Sequence, residues 1–132
     1  RADMLRAVYE GIALSIRDGY AVLPRAAQEI RLSGGGAHSA FWSQMIADAC
    51  GVPVAVPKGA TEYGSKGAAL LAAVGVGLYD SVKDAVVAAQ GETSRFMPRP
   101  ETTDLLSRRY EVYKALQEDL RNSWLVASRS SR

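Results

Sequence analysis

The sequence predicts an α/β chain that is rich in helix and holds one short pair of parallel strands. Two observations carry this. Apolar residues recur at spacings of three and four along most of the 132 residues, the period of an amphipathic helix. Two short β-type runs, Ile30–Leu32 and Val52–Val56, stand apart with a glycine cluster and a helical stretch between them. That order makes a strand, helix, strand unit whose right-handed crossover leaves the strands parallel.

The first helix is expected from about Asp3 to Leu23, where Leu5, Val8, Ile12 and Ile16 form a stripe and Pro24 lies just beyond the end. The strand at Ile30–Leu32 runs into Ser33-Gly34-Gly35-Gly36-Ala37. A helix from about His38 to Cys50 then carries Phe41, Trp42, Met45, Ile46 and Ala49 inward and stops at Gly51. Val52–Val56 alternates with period two. After Pro57-Lys58-Gly59-Ala60 a third helix is expected with Thr61 as its N-cap, showing small residues through Ala73. A short helix at Ser81–Ala89, capped by Asp80 or Ser81, leads to a polar connection from Gln90 to Pro100. The last helix, from about Thr103 to Trp124, sets Leu106, Tyr110, Tyr113, Leu116, Leu120 and Trp124 on one side, and residues 128–132 are expected to fray.

Composition narrows the function classes. Sixteen basic and fourteen acidic residues leave a net charge of +2, with no basic run longer than Arg108-Arg109, so nucleic acid is not an expected partner. The longest apolar stretch, Gly67–Tyr79, is too short and too rich in glycine and alanine to span a bilayer. Cys50 is the only cysteine, which excludes an internal disulfide and fits a reducing cytoplasm. The chain opens without Met directly in a helical pattern, and two strands cannot cover so many helices; it is expected to be a piece of a longer protein with more sheet upstream.

The glycine turn is the candidate site. Glycine lacks a Cβ, so the chain can take positive φ and approach a ligand closely, while amides at a helix start point outward toward an anion. A nucleotide phosphate is the natural guest, at the carboxyl ends of the strands. The competing reading is a tight turn that needs glycine for its own geometry alone.

Other residues are given plainer roles. His38 is read as a solvated helix-start residue and not a base, and Glu62 as interacting with free amides near a helix start. Lys66 is read as a charge on an outer face, and Asp48 and Gln44 as scaffold residues. Trp42, Tyr110, Tyr113 and Trp124 are read as core, and Arg108, Arg109, Arg121 and Arg129 as a solvated face.

Five motifs in order then carry a resemblance. They are Tyr9-Glu10-Gly11-Ile12-Ala13-Leu14-Ser15-Ile16-Arg17-Asp18, the strand and turn Ile30–Ala37, Trp42–Asp48, the strand Val52–Val56, and Glu62–Ala73 closing in Gly75-Val76-Gly77-Leu78-Tyr79. With the Pro-rich connection and the Tyr110/Tyr113 helix, the chain resembles the C-terminal lobe of the FGGY carbohydrate kinases, of the actin-like ATPase superfamily, and within them the pentulose or small polyol kinases. The resemblance implies a helix-rich fragment of a ribonuclease H-like, actin-like ATPase domain over residues 1–132.

It also implies a parent that transfers the γ-phosphoryl group of ATP to a hydroxyl of a sugar, ketose or polyol. Gly34, Gly35 and Gly36 would face the phosphates and ribose of ATP or ADP, and Ser39, one turn into the helix, would lie beside the adenine. The family's aspartate base and its threonine-containing phosphate turn precede this segment. None of Asp3, Asp18, Asp48, Asp80, Asp84, Asp104 and Asp119 matches that base, and neither a catalytic residue nor a Mg²⁺ ligand is assigned to this chain. The carbohydrate would be met through the missing lobe, and uncovered apolar faces should make the isolated chain form homo-oligomers. A non-catalytic actin-like nucleotide-binding or regulatory domain is the alternative, to be distinguished by the upstream sequence.

Overall fold

The computed structural model describes residues 2–130, and the side chains of residue 122 and residues 124–130 lie outside the described set. Helix α1 (Ala2–Ala21) is followed by strand β1 (Ile30–Arg31) and a 3-10 turn at Gly35–His38. Helix α2 (Ala40–Cys50) and strand β2 (Val54–Pro57) complete the predicted crossover unit. A second 3-10 turn at Ala60–Glu62 leads to helices α3 (Tyr63–Gly75) and α4 (Val82–Ala88), strand β3 (Thr93–Phe96) and the long helix α5 (Pro100–Ser130).

The strands β1 and β2 pair in parallel, Ile30 opposite Val54 and Arg31 opposite Ala55. The sheet is larger than expected. In the stretch read as a connection, Thr93–Phe96 pairs antiparallel with β2, from Val54 opposite Phe96 to Pro57 opposite Thr93, giving the order β1-β2-β3. An edge strand needs to bury only a few side chains, and here only Phe96 is partly covered, so β3 leaves little hydrophobic signature.

Helix α2 is the centre of the fold. Toward α1 and α5 it packs Met45 and Ala49 against Ala13 and Leu106; toward the sheet it packs Ile46 and Ala47 against Val54, with Ile16, Ile30, Leu32, Val56 and Phe96 around them. Two of its buried positions, Ala47 and Ala49, are alanine, which lets α1, α5 and the sheet come close. Gly51 ends α2 in the left-handed conformation, φ 69°, its amide bonded to Ala47 O at 2.9 Å, as the sequence reading requires. Ser81 caps α4 by accepting from the Asp84 amide.

Several positions fall differently. Phe41 is exposed, edge-on to Tyr9 at 5.5 Å, and not on an inner face. Thr61 lies within the second 3-10 turn, whose start is set by Gly59 at φ 74°, so it does not cap α3. Leu106 and Tyr110 are buried, but Leu116 and Leu120 are exposed because α5, roughly 45 Å long at 1.5 Å per residue, outruns the helices beneath it. The Trp124 and Arg129 side chains and residues 131–132 lie outside the described residues. Among those described, no helix is long and apolar enough to cross a membrane.

Candidate functional site

Both parallel strands end in glycine-containing turns, and the two turns are joined. The chain leaves β1 through Gly34, at φ 88° and ψ −174°, a conformation essentially reserved for glycine. The Gly34 amide donates to Ala60 O at 3.0 Å, tying the turn after β1 to the turn after β2. The Gly34 carbonyl accepts from the Ala37 amide at 3.0 Å, closing the first 3-10 turn. Gly35 and Gly36 are exposed, and among the described residues their amides donate to no backbone or side-chain acceptor. A Cβ built on Gly35 meets nothing within 4 Å. The result is an open cradle with two amide donors at the carboxyl ends of a parallel pair, which is the arrangement that accepts an anion.

Ser39 is the N-cap of α2 and not a residue one turn inside it. Its backbone is extended, and its exposed hydroxyl accepts from the Trp42 amide at 3.2 Å, which leaves the hydroxyl hydrogen free to donate. The structure therefore brings Gly34, Gly35, Gly36 and Ser39 onto one short, exposed turn. His38 lies on the same turn and is exposed. Beside the second turn, Lys58, Gly59, Glu62, Ser65 and Lys66 line a shallow cleft.

Lys66 is not a free surface charge. Its ammonium donates to Ala89 O at 2.7 Å, at the carbonyl end of α4, and sits 5.7 Å from the Tyr63 ring centroid, so it clamps α3 to α4. Glu62 is exposed and bonds no amide through its side chain among the described residues. Asp48 is a scaffold residue, as read, but its partner is remote in sequence. The carboxylate is fully buried in α2 and accepts from the Arg99 amide at 2.8 Å, from Arg99 Nη2 at 2.5 Å and from Gln44 Nε2 at 2.9 Å, while Gln44 also donates to Met97 O. This clasp holds the segment after β3 against α2.

Three further sets of contacts escaped the sequence reading. Glu10 is buried between α1 and α5 with Arg6 and Arg109 as partners. Burial alone would raise its pKa, but the hydrogen bonds from Arg6 and Arg109, together with their charges, hold it below the ordinary 4.5. Arg17 donates to Ala49 O and Ser107 Oγ, both at 3.0 Å, and lies over the Tyr110 ring. Tyr110 donates to Asp18 Oδ1 at 2.7 Å; its burial, with that bond, pushes the phenol up to about 12. A heptad-like stripe announces apolar partners, whereas nothing local announces a salt bridge across 99 positions. Cys50 is half-buried, and burial pushes its thiol up to about 11, the mark of an inert cysteine.

Residues 1–76 match the C-terminal domain of the FGGY family of carbohydrate kinases. The chain belongs to that family. It is 40% identical over 119 residues to a xylulose kinase of Staphylococcus epidermidis, covering 88% of this chain and 24% of that protein. It is 35% identical over 127 residues to a glycerol kinase of Citrifermentans bemidjiense, covering 93% and 24%. Among solved structures, a ligand-bound xylulose kinase from Lactobacillus acidophilus superposes with a TM-score of 0.78 at 25% identity, covering 89% of this chain and 24% of that one. A xylulose kinase from Rhodospirillum rubrum gives 0.70 at 31% identity, covering 90% and 25%. The chain thus spans about a quarter of the length of the FGGY kinases it matches, and its fold is that of their actin-like ATPase architecture.

Proposed function

We propose that this chain is the C-terminal, nucleotide-side portion of an ATP-dependent carbohydrate kinase. The observation that carries the reading is the joined pair of turns: Gly34 bonded to Ala60, followed by exposed Gly35 and Gly36 whose amides have no protein acceptor among the described residues. ATP and ADP fit this chemistry, since a phosphate oxygen supplies the acceptor those amides lack. Gly34 shapes the turn, Gly35 and Gly36 donate to the phosphates, and Ser39 offers its hydroxyl hydrogen to the base or ribose.

In the reaction, a sugar hydroxyl attacks the γ-phosphorus, the bond to the β-phosphate bridging oxygen breaks, and ADP leaves on these amides. The hydroxyl proton passes to a base that this chain does not supply. Mg²⁺, which neutralises charge on the phosphates in such transfers, would be held by the remainder of the parent. The acceptor class we favour is a pentulose, on the strength of the xylulose kinase relatives. The cytoplasm is the proposed location.

The remainder of the parent would also cover what this chain leaves open. Met4, Leu5, Val8 and Ile12 on α1 are 49–75% exposed, and among the described residues no strand pairs with the outer edge of β1; we propose that upstream sheet packs there, and that the isolated chain self-associates through these uncovered surfaces. The test of the nucleotide reading is an amide NMR titration with Mg-ADP, with Gly35→Val as control. Shifts centred on residues 34–39 and 59–62, lost in the variant, are expected. A full-length protein that binds Mg-ADP with no response at these amides would overturn the assignment.

A further inference from the structure

The three glycines are adjacent but not equivalent. A Cβ on Gly34 or Gly35 meets nothing within 4 Å, whereas a Cβ on Gly36 meets Trp42 Cδ1 at 3.1 Å and Nε1 at 3.2 Å. The edge of the indole therefore lies against the Gly36 backbone. Trp42 is itself fixed from several sides. Its amide donates to Ser39 Oγ at 3.2 Å, its ring packs on both apolar clusters, and the Tyr9 ring lies tilted across it at 5.7 Å between centroids. Backbone bonds close the turn above it, the Ala37 amide donating to Gly34 O at 3.0 Å and the Ser39 amide to Gly36 O at 3.2 Å, but its residues after Gly34 are exposed apart from Ala37, so the indole is the large side chain seated against it.

We infer that Trp42 is a positioning residue for the nucleotide turn: its indole, seated under Gly36, fixes where the Gly35 and Gly36 amides point, and Gly36 is glycine to admit that indole. The inference rests on the nucleotide reading above. A donor pair serves an anion only if it is aimed before the ligand arrives, and misplacement by about 1 Å can cost on the order of 100-fold. A large ring held by two core clusters supplies that rigidity; a small apolar side chain at position 42 would leave the turn free to shift.

A double-mutant cycle on the full-length protein tests this, with Mg-ADP affinity read by calorimetry and helix content by far-ultraviolet circular dichroism. The variants are Gly36→Ala, Trp42→Leu and both together. Wild type should bind Mg-ADP, and Trp42→Leu should weaken binding about tenfold while helix content at the assay temperature is kept. Gly36→Ala should weaken it about tenfold alone but less than about twofold when added to Trp42→Leu, because the methyl then has room. Equal cost of Gly36→Ala in both backgrounds would mean that Gly36 answers to the ligand directly, and unchanged affinity in Trp42→Leu would mean that the indole is only core; either overturns the inference. If Trp42→Leu does not fold, Trp42→Phe serves as the second background and is judged by the same inequality. Failure of wild type to bind Mg-ADP instead removes the nucleotide reading, and the inference with it, and shows this in the wild-type arm alone.

Discussion

Replacing Gly34 and Gly35 one at a time by alanine separates backbone demand from ligand demand at neighbouring residues. Gly34 holds φ 88° and ψ −174° with its amide bonded to Ala60 O. An L-residue there carries about 2 to 3 kcal/mol of strain even though a Cβ would meet no neighbour within 4 Å. Unfolding 132 residues releases about 0.28 kcal/mol per degree, so Gly34→Ala should lower Tm by about 7 to 11 °C. Gly35 is not among the positive-φ glycines and a Cβ there is unobstructed; alanine narrows the unfolded ensemble and should raise stability by about 0.5 kcal/mol, or about 2 °C. Differential scanning calorimetry of both variants reads the difference directly. Equal shifts, or a larger loss for Gly35→Ala, would refute the argument that φ at Gly34 is what the turn requires of its sequence.

Two titrations offer independent checks on the helical layer. The pKa of Glu10 is held below 4.5 in the folded chain, so its ion pairs contribute stability that is full above that value and lost as pH falls through the lowered one; urea unfolding should find Glu10→Gln less stable than wild type at pH 7, with the gap closing as pH falls below 4.5. The Tyr110 phenol, pushed up to about 12 from an ordinary 10, contributes stability that is full below pH 10 and lost between pH 10 and 12. Tyr110→Phe should therefore cost about 1 kcal/mol at neutral pH and lose its disadvantage above pH 10, and ultraviolet titration of the six tyrosines should show one that ionises late.

The order of helices and the parallel pair are legible in the sequence because each rests on a local signal: the stripe Leu5, Val8, Ile12, Ile16, the alternation Val52–Val56, the stop at Gly51, the cap at Ser81. Strand β3 is not legible, since Thr93, Ser94 and Arg95 bury nothing and their pairing is decided by β2. The same division runs through the site. The triple glycine marks a turn after a strand, but that Gly34 answers to φ follows only from the folded backbone, and the contact of Gly36 with Trp42 only from where α2 sets its indole. Lys66 shows the converse: a charge on an alanine-rich helix reads as solvated until α4 presents the Ala89 carbonyl to it.

By itself, then, the sequence determined the helical periods, the crossover unit and the family, all of which depend on residues within a few turns of one another or on motifs in linear order. The tertiary structure decided the third strand, the Asp48–Arg99 and Glu10–Arg109 links, and the joining of two turns through Gly34 and Ala60. These depend on contacts between residues 26 to 99 positions apart, and no local preference encodes a partner that only the packing of the folded chain brings within hydrogen-bonding distance.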